Sequence, residues 1–259
     1  GNPWLSYYNI HKLNFTAPIT VWSIKNNRYD AYSIIDDDYA IEPSQALFVQ
    51  CPDEISSISF PIDGRQLTNV IESQNAARSM QASDRKLVDV ELSDGEQTDK
   101  TRFVLNAKAS LAYEVNCDAT KFMSLDAGGP QIYTIEDGVM LAINERPIGE
   151  GVVDLGIKVA ANGQYTISAP RNQFNSIILY DNETSIQTNL SEGSYTFSAN
   201  AGTHNNRFML YAGSSVITNI NAMHQNAAGE EIYYTLNGQR IGQLQKGLYV
   251  VKGKKVIIK

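Results

Sequence analysis

Apolar and polar residues alternate in short runs along most of the chain, the pattern typical of half-buried β-strands. Residues 87–92 alternate up to a turn at residues 94–95, and residues 101–105 follow as the predicted hairpin partner. Residues 131–135 and 139–143 repeat this arrangement. We therefore predict that the later part of the chain is built from hairpins. Further strands are predicted at residues 152–160, 164–169, 176–180, 194–199 and 207–211.

The first part of the chain has a similar but less regular strand pattern. Residues 19–24, 45–51 and 55–62 are predicted strands, bounded by polar or proline-containing turns. Residues 107–126 are the least strand-like and are predicted as loops with one short helix. Short strands at frequent intervals, without long helices between them, predict an all-β fold of tandem β-sandwich-like domains with a short C-terminal β meander.

Residues 72–84 are polar and small, with little to bury, and we place the main internal boundary there. A short surface helix is the competing interpretation, because Ala, Arg, Met and Gln in this stretch favour helix. The predicted organisation is a β-sandwich-like domain at 1–84, a second β-sandwich domain at 85–218 and a β meander at 219–259.

Composition places the chain among folded globular proteins, since 42% of its 259 residues are apolar and 19% are charged. The chain has no apolar run of the roughly 18 residues that a spanning helix needs, so no membrane span is predicted. The net charge of −7 argues against a nucleic-acid partner, because phosphate binding needs a basic surface. Residues 226–259 carry six basic and two acidic side chains, which leaves −11 for residues 1–225.

The two cysteines, Cys51 and Cys117, lie far apart in the sequence and lack metal-ligand spacing. They are interpreted as two separate buried thiols, with a disulfide as the alternative. The sequence starts at Gly1 without a methionine or an apolar leader. An exported protein carries a signal peptide, so we interpret the chain as part of a longer precursor.

The sequence contains no recognised catalytic motif. It lacks the GxSxG nucleophile motif, the HExxH zinc motif, the phosphate-binding P-loop and CxxC. Its histidines, His11, His204 and His224, have no identifiable partner for acid–base chemistry. We therefore predict that the chain is not an enzyme and uses no cofactor. A glycoside hydrolase with two catalytic carboxylates is the weakest alternative, because 28 acidic residues offer many pairs.

The acidic run Asp36, Asp37 and Asp38 is a weak candidate for a metal site, because clustered oxygen ligands bind Ca²⁺. The run lacks the glycine and the spaced carboxylates of a dedicated calcium loop. A solvated acidic turn is the favoured interpretation.

The aromatic cluster Trp4, Tyr7 and Tyr8 is a candidate ligand-binding site, since exposed aromatic rings stack on sugars while their polar tips stay hydrated. Packing in the core or between domains is the favoured alternative. Trp22 lies on an apolar predicted strand, where packing is the default.

The end of the chain resembles the C-terminal sorting tail of exported Bacteroidetes proteins that use type IX secretion. Residues 232–241 read IYYTLNGQRI, residues 246–251 read KGLYVV, and residues 253–259 read GKKVIIK. In that family a Y-x-L-N-G-Q-R hairpin precedes K-G-x-Y-(I/V)-V and a closing K-x-(I/V)-(I/V)-K. The tail residues singled out by the resemblance are Asn237, Gly238, Arg240, Gly247 and Lys259.

The same tail residues predict a three-stranded meander on physical grounds alone. Asn237 and Gly238 favour a type I′ turn, and Gly247 and Gly253 mark breaks. A plain structural meander that completes a sheet is the alternative to a sorting signal.

The body of the chain resembles the β-rich region that precedes this tail in such proteins, a region of uncharacterised function. The matching segments are GNPW at 1–4, ALFVQ at 46–50, NERP at 144–147, YTF at 195–197, AGT at 201–203 and RF at 207–208. The resemblance implies a secreted or cell-surface location.

We expect a non-catalytic structural or adhesive module of an exported bacterial surface protein. Its expected partners are a glycan or a surface protein, and the secretion machinery through the tail. The alternative is a carbohydrate-binding accessory region of a polysaccharide-degrading protein.

Overall fold

The computed structural model describes residues 1–70, 85–124 and 128–212, together with short strands between residues 233 and 258. Its regular structure is almost entirely β, which confirms the predicted all-β fold class. Contacts group the chain into two compact units, Gly1–Val216 and Ile217–Lys259. None of the described helices is long and apolar enough to cross a membrane. The predicted division between residues 1–84 and 85–218 falls at a stretch outside the described residues and stays a prediction.

The first 70 residues form two small sheets. One sheet has the strand order β4-β1-β6 and the other has the order β3-β2-β5, with all pairs antiparallel. Two 3-10 helices, Ile10–Lys12 and Ile62–Gly64, interrupt the strands. The strand bounds are β1 Tyr7–Asn9, β2 Ile19–Ser23, β3 Arg28–Tyr32, β4 Ala40–Ile41, β5 Phe48–Val49 and β6 Arg65–Gln66.

The predicted strand at 55–62 is wrong, because these residues form irregular structure that leads into the second 3-10 helix. Ile58 is 38% exposed and Ile62 is 64% exposed, so the alternating apolar set does not mark one buried face. Ile55 and Phe60 instead pack against a core of their own region. The completely buried members of that core are Tyr8, Ile10, Ala17, Ile19 and Ile41.

Residues 85–212 form a single eleven-stranded sheet. Its main path is β15-β14-β17-β12-β10-β11-β8-β7-β13-β16, and β9 pairs with β11 beside this path. The two predicted hairpins are confirmed as β7–β8 and β10–β11, and β11 runs parallel to β8. The strand bounds are β7 Arg85–Ser93, β8 Thr98–Asn106, β9 Ala119–Thr120, β10 Gln131–Glu136, β11 Val139–Pro147, β12 Val152–Val159, β13 Gly163–Asn172, β14 Ile177–Asp181, β15 Ile186–Asn189, β16 Tyr195–Ala199 and β17 Gly202–Ala212.

This large sheet curls around one apolar core, so strands near its two ends approach each other. Phe197 on β16 contacts Phe208 on β17 with ring centroids 4.8 Å apart. The Tyr195 hydroxyl on β16 donates to Asp181 Oδ2 on β14 at 2.8 Å. On β17, Arg207 Nη2 donates to the same carboxylate oxygen at 2.9 Å, and Arg207 Nη1 donates to the Ser198 carbonyl on β16 at 2.9 Å. Side chains therefore join strands that share no backbone ladder, along a line that we call the seam.

A glycine allows an aromatic ring to pack directly on strand β12. The β12–β17 register shifts between Leu155 and Ile157, at Gly156. A Cβ atom at this glycine would lie 2.2 Å from Tyr133 Cε2, and the Tyr133 hydroxyl donates to Asn205 Oδ1 at 2.7 Å. The fully buried Tyr133 ring thus fills the space that a side chain at position 156 would need.

The C-terminal unit contains four short strands in the order β19-β18-β20-β21, whereas the sequence predicted a three-stranded meander. Strand β18 pairs with β19 on one edge and with β20 on the other. Arg240 begins β19 and Gly247 begins β20, while Asn237, Gly238 and Lys259 lie outside the described residues. The strand bounds are β18 Tyr233–Tyr234, β19 Arg240–Ile241, β20 Gly247–Val251 and β21 Lys254–Ile258.

Candidate functional site

Asp37 is buried against two arginines of the large sheet. Arg102 Nη1 donates to Asp37 Oδ2 at 2.6 Å, and Arg171 Nη1 donates to Asp37 Oδ1 at 2.8 Å. Burial by itself raises the pKa of the Asp37 carboxyl, but the hydrogen bonds and charge of Arg102 outweigh it and hold this pKa below its usual value. The predicted solvated acidic turn is therefore wrong at Asp37, which is 7% exposed.

Asp36 and Asp38 also lie next to side-chain partners. Asp36 Oδ2 accepts from Arg85 Nη2 at 3.0 Å, and Asp38 Oδ1 lies 3.4 Å from His11 Nε2. Among residues 1–70, 85–124 and 128–212, no group of three or more His, Cys, Asp or Glu side chains is arranged to hold a metal ion. Asp36 and Asp37 therefore anchor arginine side chains, and Asp38 lies beside His11.

The aromatic cluster near the start of the chain is used largely for packing. Tyr8 is fully buried, with its ring centroid 5.1 Å from that of Phe60. Trp4 is half-buried, its indole N–H donates to the Phe60 carbonyl at 3.2 Å, and the Arg65 guanidinium lies 4.8 Å from its ring centroid. Tyr7 is half-buried. Tyr8 therefore belongs to the core, while ligand contact by Trp4 and Tyr7 stays a prediction.

A different set of residues forms an open cleft of about 750 Å³ beside two short strands, β5 and β9. Strand β5 is the last strand of its small sheet, and β9 pairs with β11 as a side branch of the large sheet. We call this feature the aromatic cleft. The side chains that define it are Thr20, Phe48, Phe60, Tyr113, Asp118, Thr120 and Phe122.

Aromatic rings form the exposed wall of the cleft. Phe48 and Phe122 meet edge to face with centroids 5.2 Å apart, and Tyr29 supports both rings from behind, at 6.0 Å and 5.5 Å. Phe48 is 48% exposed and Tyr113 is 37% exposed. Rigid rings that are held by neighbours and half open to solvent suit contact with an apolar ligand surface.

Asp118 lies at the floor of the cleft and is 4% exposed. Its Oδ2 accepts from the Glu114 N–H at 2.7 Å, and its Oδ1 accepts from the Glu145 N–H at 2.8 Å. Burial raises the pKa of Asp118 to about 6, and the charges of Glu145 and Glu114 act in the same direction against the two backbone hydrogen bonds. The floor of the cleft thus holds a desolvated carboxyl group.

A smaller cavity of about 50 Å³ shares Tyr113 and Asp118 with the cleft. Asn144 and Glu145 also line it, and the Glu145 carboxylate is bound by Arg85 and Asn106. Asn144 is 2% exposed, and its Nδ2 has no hydrogen-bond partner among the described residues. One of the residues that line this smaller cavity thus carries an amide donor without a hydrogen-bond partner among the described residues.

Both cysteines are free thiols, so the alternative of a disulfide is not realised in this structure. Cys51 is exposed, which differs from the predicted buried thiol, and Cys117 is half-buried beside the floor of the cleft. Burial, with the charge of Glu145, raises the pKa of Cys117 to about 12. The Cys117 thiol is therefore protonated at neutral pH and is a poor nucleophile.

Sequence reasoning missed the aromatic cleft. The sequence predicts Phe48 as part of a longer strand, at residues 45–51. It predicts loops with one short helix for the stretch that contains Tyr113 and Asp118, where the structure has a turn and strand β9. No local signal distinguishes the half-exposed Phe48 from a core phenylalanine. The cleft depends on contacts between residues that lie far apart in the chain, such as the bond between the Tyr113 hydroxyl and Gln50.

A family model described as Domain of unknown function (DUF8693) matches residues 4–211. The matched span contains both small sheets, the aromatic cleft and nearly all of the large sheet. No curated protein and no solved structure matches the chain.

Proposed function

We propose the following function for this chain, which belongs to the DUF8693 family. It is a non-catalytic adhesive module of an exported bacterial surface protein, and the aromatic cleft holds its partner. The observation that carries this proposal is the half-exposed aromatic wall of Phe48 and Tyr113, fixed in place by neighbouring rings and a hydrogen bond. Half-exposed apolar rings of this kind mark interaction surfaces.

The chemistry of the cleft favours binding over catalysis. Its one carboxylate, Asp118, accepts two backbone hydrogen bonds that hold it in place. The nearby thiol of Cys117 is held protonated by its raised pKa. Rigid apolar walls with a single polar group at the floor give orientation and selectivity to a bound molecule.

The test is binding of the full chain to an immobilised panel of soluble glycans and short extended peptides. Phe48→Ser should abolish any saturable binding, because it removes the exposed wall. Ile186→Ser is the matched control, since Ile186 is also 48% exposed but lies on β15. Equal binding by both variants would exclude the cleft as the binding site.

The tail is proposed to direct export. In support of this, residues 217–259 form a compact unit of their own with a separate four-stranded sheet, as a removable signal requires. Deleting residues 226–259 should leave residues 1–225 folded with a cooperative melting transition, and should abolish surface display in the native host. A truncated protein that does not fold would make the tail part of the core structure. Normal surface levels of the truncated protein would remove the sorting role.

Carbohydrate binding is the second candidate, and a polar groove of about 500 Å³ favours it. Its lining includes Asn26, Asn27 and Arg28 at the β2–β3 turn, and Glu96 and Gln97 in the β7–β8 turn. Planar amide and charged side chains of this kind hydrogen-bond sugar hydroxyls. Saturable glycan binding that is lost in Gln97→Ala and kept in Phe48→Ser would favour this function over the adhesive cleft.

A further inference from the structure

We propose that the aromatic cleft receives an extended peptide segment whose lysine or arginine side chain reaches Asp118. This inference rests on the proposed binding role of the cleft and specifies the chemistry of the partner. Three features of the described residues carry it: an unpaired buried carboxylate, two free strand edges and an aromatic wall.

The first feature is the buried Asp118 carboxylate, which forms no ion pair. Seven carboxylates are buried among residues 1–70, 85–124 and 128–212, and six of them form ion pairs with an arginine or a lysine. Asp118 is the seventh, and it has only backbone donors. The paired carboxylates are Asp30, Asp37, Asp89, Asp99, Glu145 and Asp181.

A buried charge without a counter-ion is costly, and an incoming cation removes that cost. No lysine or arginine lines the cleft, so its own walls do not supply this cation. Two further acidic side chains lie nearby: Glu114 is in the loop that leads to Asp118, and Glu54 accepts a hydrogen bond from Asn116 of the same loop. Residues 1–225 as a whole carry a net charge of −11, which attracts a basic partner.

The second feature is the pair of strand edges. The Lys121 N–H donates to the Met140 carbonyl at 2.8 Å, so this side of β9 faces β11. Thr120, one of the residues that line the cleft, lies opposite Leu141 in a pair that exchanges no hydrogen bonds, so its backbone N–H and C=O point away from β11. Phe48 and Val49 of β5 pair on one side with β2, which leaves their other edge open among the described strands. An extended peptide binds such edges by adding a strand.

The third feature, the aromatic wall, determines which residues should flank the basic residue in the partner peptide. Side chains alternate along an added strand, so flanking residues meet Phe48 and Tyr113 while the cation reaches the floor. The aliphatic stem of a lysine or arginine packs on apolar walls as its charged end enters. The partner is therefore an extended segment in which a basic residue lies among apolar or aromatic ones.

The experiment titrates the full chain with capped, fluorescently labelled peptides of alternating Val and Thr whose central residue is Lys, Arg, norleucine or Glu. We expect the Lys and Arg peptides to bind at least about tenfold more tightly than the norleucine peptide, a difference of about 1.4 kcal/mol. Peptides with N-methylated backbones should lose binding, because they cannot add as a strand. Norleucine binding equal to Lys binding would overturn the inference, and this comparison needs no protein variant.

Two protein variants complete the test. Asp118→Asn should reduce the preference for Lys over norleucine to less than about twofold, whereas the control Asp154→Asn, an exposed acid on β12, should keep it. Tight binding of spermidine at the cleft without any peptide preference would also overturn the inference. If glycans bind at the cleft and no peptide does, the inference fails while the proposed binding role stands. If neither class binds, both fail.

Discussion

Arg102 and Asp37 form a bidentate ion pair: Arg102 Nη1 lies 2.6 Å from Asp37 Oδ2, and Arg102 Nη2 lies 2.9 Å from Asp37 Oδ1. The same guanidinium binds Asp89 through Nε at 2.6 Å and Nη2 at 2.9 Å. Arg102 is 3% exposed, so four charge-assisted hydrogen bonds lie inside the protein. They tie the acidic run after β3 to the middle of the large sheet.

Removing the Asp37 carboxylate should strongly destabilise the protein. Asp37→Ala leaves the buried Arg102 short of one partner, which costs about 3–5 kcal/mol of unfolding free energy. Asp38→Ala is the matched control, because Asp38 is 57% exposed and its loss should cost less than about 1 kcal/mol. Urea denaturation measures both, and equal losses in the two variants would contradict a structural role for the buried pair.

Asp118 should make the protein less stable as the pH rises between about 4 and 6. Its folded pKa of about 6 lies above the ordinary aspartate value, so the folded state favours the protonated form. The stabilisation is complete below the unfolded pKa and is lost as the pH rises through the folded one. The wild type should lose this stabilisation between pH 4 and pH 7, whereas Asp118→Asn does not titrate. The unfolding free energy of Asp118→Asn relative to the wild type should therefore rise by roughly 1–3 kcal/mol over this range. Urea unfolding at both pH values measures this, and a pH-independent difference would be the contrary result.

Gly156→Ala should destabilise the large sheet by about 1–3 kcal/mol, because the added methyl group overlaps the Tyr133 ring. Gly163→Ala is the matched control, since a Cβ atom there has no neighbour closer than 3.9 Å. Combining Gly156→Ala with Tyr133→Leu should cost less than the sum of the single changes, because the smaller side chain leaves room. Thermal unfolding measures all four variants. Additive losses would show that the ring is not the source of the strain.

Phe103→Ala and Phe197→Ala should each cost roughly 3–5 kcal/mol of unfolding free energy, because each leaves a cavity in the core. Phe103 is 0% exposed and Phe197 is 6% exposed, which confirms the inward faces predicted from the alternating pattern. Val139→Ala, at a 40% exposed apolar position on β11, is the comparison and should cost much less. Melting temperatures near the wild-type value for both phenylalanine variants would contradict this assignment.

The alternating pattern predicted the large sheet well, because most of its strands contribute apolar side chains to one main core. Residues 87–92 and 101–105 pair as predicted, with Val88 opposite Phe103. The same pattern failed at residues 55–62, where Ile58 and Ile62 are exposed although they alternate with polar neighbours. Periodicity records which residues are apolar, and tertiary contacts decide whether they are covered.

Local sequence patterns did not predict the candidate site. The prediction of a solvated turn is wrong at Asp37 because its partners, Arg102 and Arg171, lie 65 and 134 positions away in the chain, where a local pattern does not reveal them. Asp118 carries no motif, and its unpaired state is visible only when every other buried carboxylate has been matched to a cation. The ion pairs between residues far apart in the chain are therefore the feature that could not be predicted from the sequence alone.

Side chains alone close the large sheet at the seam. Tyr195 of β16 binds Asp181 of β14, and Arg207 of β17 binds the Ser198 carbonyl of β16, whereas neighbouring strands elsewhere share backbone ladders. Opening the sheet at the seam therefore requires breaking these hydrogen bonds and separating Phe197 from Phe208, but it breaks no backbone ladder.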